Sequence, residues 1–250
     1  MATYHATGVT LVVHKYKGTQ RLAGFYTRER GKIEATVSGV GKPGSKLAPA
    51  VEPLTLSKLY FAEGRNMDRL TQCEVLDANY DLRNDLQRLA MASYVAELLH
   101  TTTEPGHPEP ELFDAFVAAL TAIAATSQPE LVMWSFVLRY LSAHGIGPVV
   151  SQCVSCGAAL SGDASFATPL GGCVCRSCGA EGGLVLSAAT RAALATLQTM
   201  PLDRLDRVRP TPLVRRQLRE LLRRHIRFHM GVELKSERFL DKMAWGVGPG

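Results

Sequence analysis

The 250-residue sequence has no hydrophobic run long enough to cross a lipid bilayer. Its longest apolar run covers residues 115–126, well short of the about 20 residues that a membrane-spanning helix needs. The N-terminal segment MATYHATGVT also lacks the apolar core and basic flank of a signal peptide. We therefore expect a cytoplasmic protein that has no membrane partner.

Sequence motifs of catalysis are equally scarce. The chain contains no HExxH and no GxSxG, and GVGKPGSK lacks the spacing of a phosphate-binding loop. The tripeptide HPE at 107–109 lies ahead of Cys153-x2-Cys156, as in the H-x-E…P-C-x-x-C pattern of zinc-dependent base deaminases. However, Gln152 replaces the proline of that pattern, and the histidine lies in a proline-rich loop. We expect no enzymatic activity and keep a deaminase-like, zinc-dependent nucleic-acid-modifying enzyme as the alternative.

Lysine is absent between residues 81 and 200, and the charge of the chain is unevenly distributed. Residues 1–80 carry 11 basic and 7 acidic side chains, residues 81–200 carry 5 and 10, and residues 201–250 carry 12 and 6. The net charge of +5 therefore hides two basic ends around an acidic centre. Such segregation indicates a polyanionic partner for the two ends.

Five short segments in the N-terminal part are rich in Val, Leu, Thr and aromatic residues, as β-strands are. They cover residues 7–14, 20–28, 31–40, 54–62 and 69–77. The stretch GVGKPGSKLAPAVEP between the third and the fourth contains Gly and Pro turn signals that exclude a regular strand. We predict that residues 1–80 form a five-stranded barrel of the oligonucleotide/oligosaccharide-binding (OB) fold, with an SH3-like barrel as the alternative.

After residue 80 the hydrophobic pattern takes on the period of about 3.6 that indicates helices. Helices are predicted over 82–99, 111–126 and 130–143, and again from residues 187 and 212 onward. The third begins with a capping box, in which Ser127 stands three residues ahead of Glu130, and ends at a His-Gly signature. The predicted fold class is α+β multidomain, with an OB-fold DNA-binding domain at 1–80, an all-α helical domain at 81–150 and 179–250, and a zinc-binding insertion at 151–178.

The insertion contains five of the six cysteines. Cys153-x2-Cys156 and Cys175-x2-Cys178 have the spacing of two metal-binding knuckles. Four thiolates complete a tetrahedral zinc site and leave no position open for water. We predict one structural Zn2+ ion, whose removal melts this segment rather than abolishing a chemical step.

The two remaining cysteines have different predicted roles. Cys173 is a spare cysteine within the insertion, and its exchange with Cys175 as a metal ligand stays open. Cys73 stands alone in a predicted strand, where we expect a small buried hydrophobic side chain.

A basic cluster with interleaved aromatic residues precedes the helices. Residues 14–46 contain eight basic and two acidic side chains. We predict that the eight bind nucleic acid: Lys15, Lys17, Arg21, Arg28, Arg30, Lys32, Lys42 and Lys46. The aromatic residues of this region are Tyr16, Phe25, Tyr26, Tyr60 and Phe61. Strand alternation assigns about two of them to the barrel core, and the others offer rings on which bases stack without sequence readout.

The sequence PLVRRQLRELLRRHIRFHM predicts an amphipathic helix near the C-terminal end. Its apolar face comprises Val214, Leu218, Leu221, Leu222, Ile226 and His229. The rest of its surface carries one glutamate, Glu220, and six arginines that we predict to face water and follow phosphates: Arg215, Arg216, Arg219, Arg223, Arg224 and Arg227. Barrel and helix are predicted to form one continuous or two opposed DNA tracks.

Several stretches of the chain resemble the RecO family of bacterial DNA repair and recombination mediators. They are TRERGKIEATVSGVGKPGSKL, SYVAELLH, HGIGPVVSQCVSCG and GVELKSERFL, together with a CxxCG…GGxxCxxC insertion after an HGxxP helix end. These stretches are spread over nearly the whole chain. The extra Cys173 departs from the family pattern and concerns only the assignment of metal ligands.

The resemblance implies a non-enzymatic, nucleoid-associated protein that binds single- and double-stranded DNA and anneals complementary strands. With RecR it would help to load RecA onto strands coated by single-stranded DNA-binding protein, whose C-terminal tail the helical domain would receive. The matching N-terminal stretch gives the DNA-binding role to Arg28, Arg30, Lys32, Lys42 and Lys46. A scaffold that mainly binds proteins, with secondary DNA affinity, is a third hypothesis.

Overall fold

The chain is divided between two structural units in the computed structural model, which describes residues 2–179 and 181–245. The barrel unit comprises the chain up to Ala125 together with the segment from Leu234 onward. The cysteine unit is Thr126–Glu233. The domain limits predicted from the sequence divide the chain differently and remain a prediction.

Five strands form the barrel unit's sheet: β1 (Thr3–Lys15), β2 (Arg21–Thr27), β3 (Gly31–Val37), β4 (Leu56–Ala62) and β5 (Asp68–Asp77). Their order is β1-β2-β3-β5-β4, and β4 pairs back onto β1 to close the barrel. Strand β1 is long enough to pair with both neighbours, and a register shift between Thr10 and Val12 lets it bend from one to the other. The predicted five-stranded OB-like barrel is confirmed.

The barrel is filled by alternate side chains of its strands. In β3, Ile33, Ala35 and Val37 point inward, while the intervening residues face outward. A short 3-10 turn at Pro49–Val51, within the predicted irregular loop, adds the buried Ala50 to this core. Its carbonyl accepts a hydrogen bond from the Thr10 hydroxyl at 3.0 Å. The loop between β3 and β4 is thereby fixed at its C-terminal end.

The described part of the barrel unit contains four helices: α1 (Tyr80–Arg83), α2 (Leu86–Thr102), α3 (Pro110–Ala125) and α7 (Lys235–Trp245). The single helix predicted over 82–99 is broken by Asp85, whose carboxylate accepts from the N–H groups of Gln87 and Arg88 and so begins α2. Tyr26 is buried on the barrel wall, 6.3 Å from the ring of Phe113 on α3. Aromatic contact of this kind packs α3 against the barrel.

The described residues of the cysteine unit include three helices and a small sheet: α4 (Pro129–Ala143), β6 (Ala164–Ala167), β7 (Gly172–Val174), β8 (Leu184–Leu186), α5 (Ala188–Thr199) and α6 (Pro212–Met230). The sheet has the order β7-β6-β8. No strand was predicted here, and the sheet continues to Leu186, beyond the predicted end of the insertion at 178. Within the described part of the chain, no helix combines the length and apolar character needed to cross a membrane.

The start of α4 differs from its prediction. The N-cap residue is Gln128, and the capping box between Ser127 and Glu130 does not form. Instead, the Asp206 carboxylate accepts from the N–H and the hydroxyl of Ser127, at 3.1 and 3.0 Å. The predicted end of the helix is confirmed, with a C-cap at His144 followed by a glycine of φ 73°.

Candidate metal centre and nucleic-acid interface

Two turns of the same shape carry the paired cysteines. The N–H of Gly157 donates to the carbonyl of Cys153 at 2.8 Å, and the N–H of Gly179 donates to that of Cys175 at 3.1 Å. Both glycines have positive φ, 73° and 62°, a conformation that a residue with a Cβ adopts only at a cost. Each CxxCG sequence therefore folds into a knuckle that presents two thiols on one side.

The four thiols of the two knuckles form one cluster. Their sulfur atoms all lie within 4.8 Å of one another, and those of Cys156 and Cys175 are 3.8 Å apart. Metal–sulfur distances of about 2.3 Å in a tetrahedral site place neighbouring sulfurs about 3.8 Å apart. The residues fit a single tetrahedral metal ion held by Cys153, Cys156, Cys175 and Cys178.

Hydrogen bonds prepare two of these sulfurs for metal binding. The Ser177 hydroxyl, with further donors of the same knuckle, lowers the pKa of Cys175 to about 6. The N–H of Cys175 in turn lies 3.3 Å from the sulfur of Cys153 and lowers the pKa of that thiol. The thiolate is the form that binds a metal, so both shifts favour coordination.

The remaining two cysteines lie outside the cluster. Cys173 is fully buried in β7, and burial raises the pKa of its thiol to about 11. The sequence left open whether Cys173 could replace Cys175 as a metal ligand. In the structure the cluster contains Cys175 and not Cys173. Cys73 is half-buried, and its thiol lies 3.2 Å from the carbonyl of Lys46.

A buried arginine that was not predicted from the sequence supports the first knuckle. Arg191 on α5 is only 8% exposed and donates to the carbonyls of Val150, Leu160 and Gly162 at 2.8, 3.1 and 2.7 Å. These carbonyls flank the segment that carries Cys153 and Cys156. The available signal was its position within the apolar stripe of α5, three residues before the buried Leu194.

Two histidines attach α6 to the small sheet. His225 is fully buried, with its Nε2 2.6 Å from the carbonyl of Ile146 and its ring 5.7 Å from that of Phe166. The half-buried His229 lies 2.9 Å from the carbonyl of Thr168. The predicted apolar face of this helix included His229 and omitted the more buried His225. Burial lowers the pKa of His225, so its imidazole is neutral near pH 7.

The predicted DNA-binding residues of the barrel fall into two groups. The first group is exposed, and none of its members forms an ion pair within residues 2–179 and 181–245: Lys15, Lys17, Lys42 and Lys46. Lys42 and Lys46 lie in the loop between β3 and β4, close to Gly39 and Gly44. These four ammonium groups are available to an external anion.

The second group is engaged within the barrel unit. Arg28 forms a bidentate pair with Asp114, at 2.9 and 3.0 Å, and because the two side chains are 48% and 54% exposed, this pair can be exchanged for another anion like other surface pairs. The Arg30 guanidinium stacks 3.9 Å from the ring centre of Tyr4. The Lys32 ammonium donates to the carbonyl of His100 at 2.8 Å, and burial lowers its pKa. Arg21 is half-buried and donates to the adjacent carbonyl of Gln20 at 3.3 Å.

The aromatic residues of the barrel are more buried than predicted. Three of the five, Phe25, Tyr26 and Phe61, have no exposed surface, where about two were expected in the core. The difference is Tyr26, which points outward from the strand but is covered by α3. Tyr16 is exposed and Tyr60 half-buried, so these two rings remain accessible.

The arginines of α6 do not all face water, as the sequence predicted. Arg215 and Arg219 each lie 2.7 Å from a carboxylate oxygen of Glu130, whose side chain is only 14% exposed. The sequence of α6 contains only one glutamate for six arginines. The acidic partner of Arg215 and Arg219 was missed because Glu130 belongs to α4, which is distant along the chain. Arg223 is half-buried, and Arg216 is exposed.

Two further arginines of α6 form ion pairs at the surface. Arg224 pairs with Glu220 at 2.6 Å and Arg227 with Glu233 at 2.9 Å. Exposed pairs of this kind contribute about 0–1 kcal/mol to stability, so another anion can readily replace the carboxylate. Of the six predicted phosphate-binding arginines, Arg216, Arg224 and Arg227 remain accessible to a ligand.

The histidine and the glutamate of the deaminase alternative are not part of the thiol cluster. His107 and Glu109 belong to the barrel unit, in the loop before α3, where the His107 ring lies 3.3 Å from the carbonyl of Pro105. As far as the described residues show, the cluster in the cysteine unit consists of cysteines alone. Four sulfur ligands complete a tetrahedron without a histidine.

Comparison with known proteins matches both parts of the chain. The family model described as Recombination protein O N terminal matches residues 1–79, and that described as Recombination protein O C terminal matches residues 83–238. A DNA repair protein RecO of Pelotomaculum thermopropionicum is 33% identical over 244 residues, covering 97% of this chain and 95% of that protein. One of Anaeromyxobacter sp. strain K is 34% identical over 248 residues, covering 97% and 96%.

Proposed function

The chain belongs to the RecO family of DNA repair proteins, and from this premise we propose that it is a non-enzymatic recombination mediator. It binds single- and double-stranded DNA and anneals complementary strands. With RecR it helps to load RecA onto strands coated by single-stranded DNA-binding protein, whose C-terminal tail it engages. The exposed and unpaired barrel lysines within the described residues are the observation on which DNA binding rests: Lys15, Lys17, Lys42 and Lys46.

Electrostatics explain how such a surface promotes annealing. Two strands repel each other through their phosphates, and lysines that bind these phosphates release counterions and allow the strands to approach. Base pairing then supplies the free energy of the reaction. Nucleotide hydrolysis is not needed, in agreement with a sequence that lacks a phosphate-binding loop.

The loop between β3 and β4 is the part of the barrel best suited to hold a strand. Its C-terminal end is anchored through Ala50, and the carbonyl of Lys46 is held by the thiol of Cys73. Lys42 and Lys46 project from this anchored loop into solvent. Fixed attachment of a charged loop reduces the entropy that it loses when a strand binds.

The metal of the cysteine unit is proposed to be one structural zinc ion. Four thiolates are the donor set of structural zinc sites, and binding of zinc to such sites contributes about 10–16 kcal/mol of folding free energy. Elemental analysis of the purified chain should give one zinc per molecule, and the Cys175→Ala/Cys178→Ala variant should give none. A wild-type chain that contains no zinc, or another metal in its place, would contradict the proposal.

A pair of matched double variants tests DNA binding. Lys42→Glu/Lys46→Glu should weaken binding of a single-stranded oligonucleotide and lower the salt slope of log K by about 1.4, or about 0.7 for each phosphate that is no longer neutralised. Arg215→Gln/Arg219→Gln, in which both removed charges were already paired with Glu130, is the control and should leave the slope unchanged. Binding would be measured by fluorescence anisotropy between low and physiological salt. Equal slopes in the wild type and the lysine variant would refute the role of the loop.

Annealing of bare oligonucleotides separates the mediator from the other two hypotheses. The purified chain should accelerate pairing of complementary strands without a partner protein or a nucleotide. A scaffold with secondary DNA affinity would not anneal them unaided. A deaminase-like enzyme would leave altered bases in the product, which mass spectrometry of the recovered strands detects.

A further inference from the structure

A cleft of about 720 Å³ lies within the cysteine unit, between α6 and the turns on either side of β7. One wall is formed by Arg224, Arg227 and Phe228 of α6. The other lining residues include Leu170 and residues of the glycine-rich segment that contains Glu181. The cleft is separate from the thiol cluster, since none of the four cysteines lines it.

The phenyl ring of Phe228 is the unusual feature of this cleft. It is 56% exposed on a helix whose buried face is formed by other residues. The centre of its ring lies 5.0 Å from that of the His229 ring, at an angle of 76° between the ring planes, and His229 is itself held by the carbonyl of Thr168. Leu170, another residue of the lining, is also exposed. Core packing therefore does not account for Phe228, and its supported ring offers an apolar face to a ligand.

The charge of the α6 wall indicates an anionic ligand. Arg224 lies one helical turn before Phe228, and Arg227 is the residue next to it. Their ion pairs with Glu220 and Glu233 are exposed, with the Arg227 side chain 70% exposed. Pairs of this kind are weak enough for a phosphate to replace the carboxylate. The two guanidiniums can therefore bind phosphates while Phe228 contacts an apolar group of the same ligand.

We infer that this cleft binds single-stranded DNA, with one unpaired base stacked on Phe228 and the neighbouring phosphates bound by Arg224 and Arg227. The inference deepens the proposed DNA-binding function and rests on it. An aromatic platform beside cations is the arrangement by which proteins hold single strands without reading their sequence. A base in a duplex is already stacked and paired, so the cleft distinguishes single strands from duplexes.

Glu181 sets the direction of the strand across the cleft. Its exposed side chain lines the cleft and does not belong to α6, and its carboxylate repels phosphates. The backbone should therefore follow α6 and the base should point toward Leu170. It follows that Glu181→Gln strengthens binding of a single strand, by about two- to fivefold at low salt.

The decisive variant is Phe228→Ala in the full-length, metal-loaded protein. It should lower the affinity for a fluorescent oligothymidylate about 5- to 100-fold, the range seen when a stacking aromatic side chain is truncated. Affinity for a duplex of equal length should stay unchanged, and so should the salt slope, because the ring carries no charge. Arg227→Gln should instead lower the slope by about 0.7 on single strands.

Two further variants distinguish loss of the aromatic ring from loss of folding. Phe228→Tyr retains the ring and should restore single-strand affinity. Phe239→Ala removes another exposed phenylalanine, 42% exposed on α7 of the barrel unit, and should bind like the wild type. Thermal unfolding of all variants should match that of the wild type, since the truncated rings are largely exposed.

Three results would overturn the inference. In the first, Phe228→Ala binds single strands as the wild type does, which leaves the proposed DNA-binding function intact while removing the cleft from it. In the second, the variant loses single-strand and duplex affinity equally. In the third, oligonucleotide affinity is unchanged but an acidic peptide with an aromatic end loses binding, which would make the cleft a protein-docking site. A wild type that binds no DNA would instead refute the proposed function itself.

Discussion

The barrel unit and the cysteine unit use their basic side chains differently. Phe25, Phe61 and other apolar side chains fill the barrel, and four of its lysines are left exposed. The cysteine unit places Arg191 in its interior and engages Arg215 and Arg219 with a mostly buried glutamate. The most buried arginines of the cysteine unit are thus structural, while its Arg216, Arg224 and Arg227 remain accessible, as do the exposed lysines of the barrel unit. A count of positive charges along the sequence cannot separate the two uses.

The sharpest test of this difference is the removal of the metal ligands. Cys175→Ala/Cys178→Ala removes half of the thiol cluster and with it the proposed zinc ion, whose binding would contribute about 10–16 kcal/mol. This is comparable to the stability of a whole domain, so the segment around the knuckles should unfold. Hydrogen exchange should show reduced protection in β6, β7 and β8 while the strands of the barrel remain protected.

The matched control is Cys73→Ala, which removes a half-buried thiol from the barrel and none from the cluster. Its exchange pattern should equal that of the wild type within residues 151–186. Full protection of this segment in the double variant would show that apolar packing organises both units alike. Loss of protection throughout the chain would show that they do not differ in what stabilises them.

The local features of the fold were predictable, because neighbouring residues determine them. Strand alternation identified all five barrel strands, and the glycine after His144 identified the end of α4. The N-terminal cap of α4 was mispredicted because Ser127 is bonded to Asp206, 79 positions away along the chain, and not to Glu130. Strands β6, β7 and β8 were missed because three or four residues are too few to show a period.

The same limit applies to the functional residues. The spacing of two residues between paired cysteines is enough to bring their thiols together. All four cysteines of the cluster could therefore be identified from the sequence. The helical pattern of α6 located its arginines but not Glu130, which comes from another helix. Phe228 went unnoticed because a single aromatic residue among arginines carries no period. Its significance depends on the cleft that residues distant in the sequence form beside it.

A second test concerns the buried arginine. Arg191→Ala removes a guanidinium that satisfies three carbonyls and leaves these carbonyls without a donor. Because hydrogen bonds to charged groups are strong and unsatisfied buried groups are costly, the unfolding free energy of the cysteine unit should fall by about 3 kcal/mol or more. Thermal and urea unfolding measure this decrease.

Arg176→Ala is the control for this substitution, because Arg176 is exposed in the second knuckle. It should leave the unfolding free energy within about 0.5 kcal/mol of the wild type, as surface substitutions do. Arg191→Lys keeps the charge but offers a compact donor in place of the planar fork, and should recover only part of the stability. Equal stability of the Arg191 and Arg176 variants would contradict a structural role for the buried arginine.

A third test releases two arginines from their structural partner. Glu130→Gln removes the charge that binds Arg215 and Arg219 in a partly buried site. Breaking such a pairing should lower the unfolding free energy by about 1–3 kcal/mol, less than the decrease for a fully buried pair. The freed guanidiniums should at the same time steepen the salt dependence of single-strand binding. Unchanged stability with unchanged salt dependence would show that the pairing has no consequence.

The smallest expected effect is a pH dependence that both units share. Burial lowers the pKa of His225 in the cysteine unit and of His100 in the barrel unit, where the nearby Lys32 adds to the effect. A histidine whose pKa is lower in the folded state stabilises the protein above its unfolded value of about 6.5 and loses that contribution as the pH falls below it. Each histidine should lower the unfolding free energy by at most about 1.4 kcal/mol for each pH unit below this value. Urea unfolding at pH 7 and pH 5.5 should show the decrease, and His225→Phe should reduce it; an equal decrease in that variant would assign the effect to other groups.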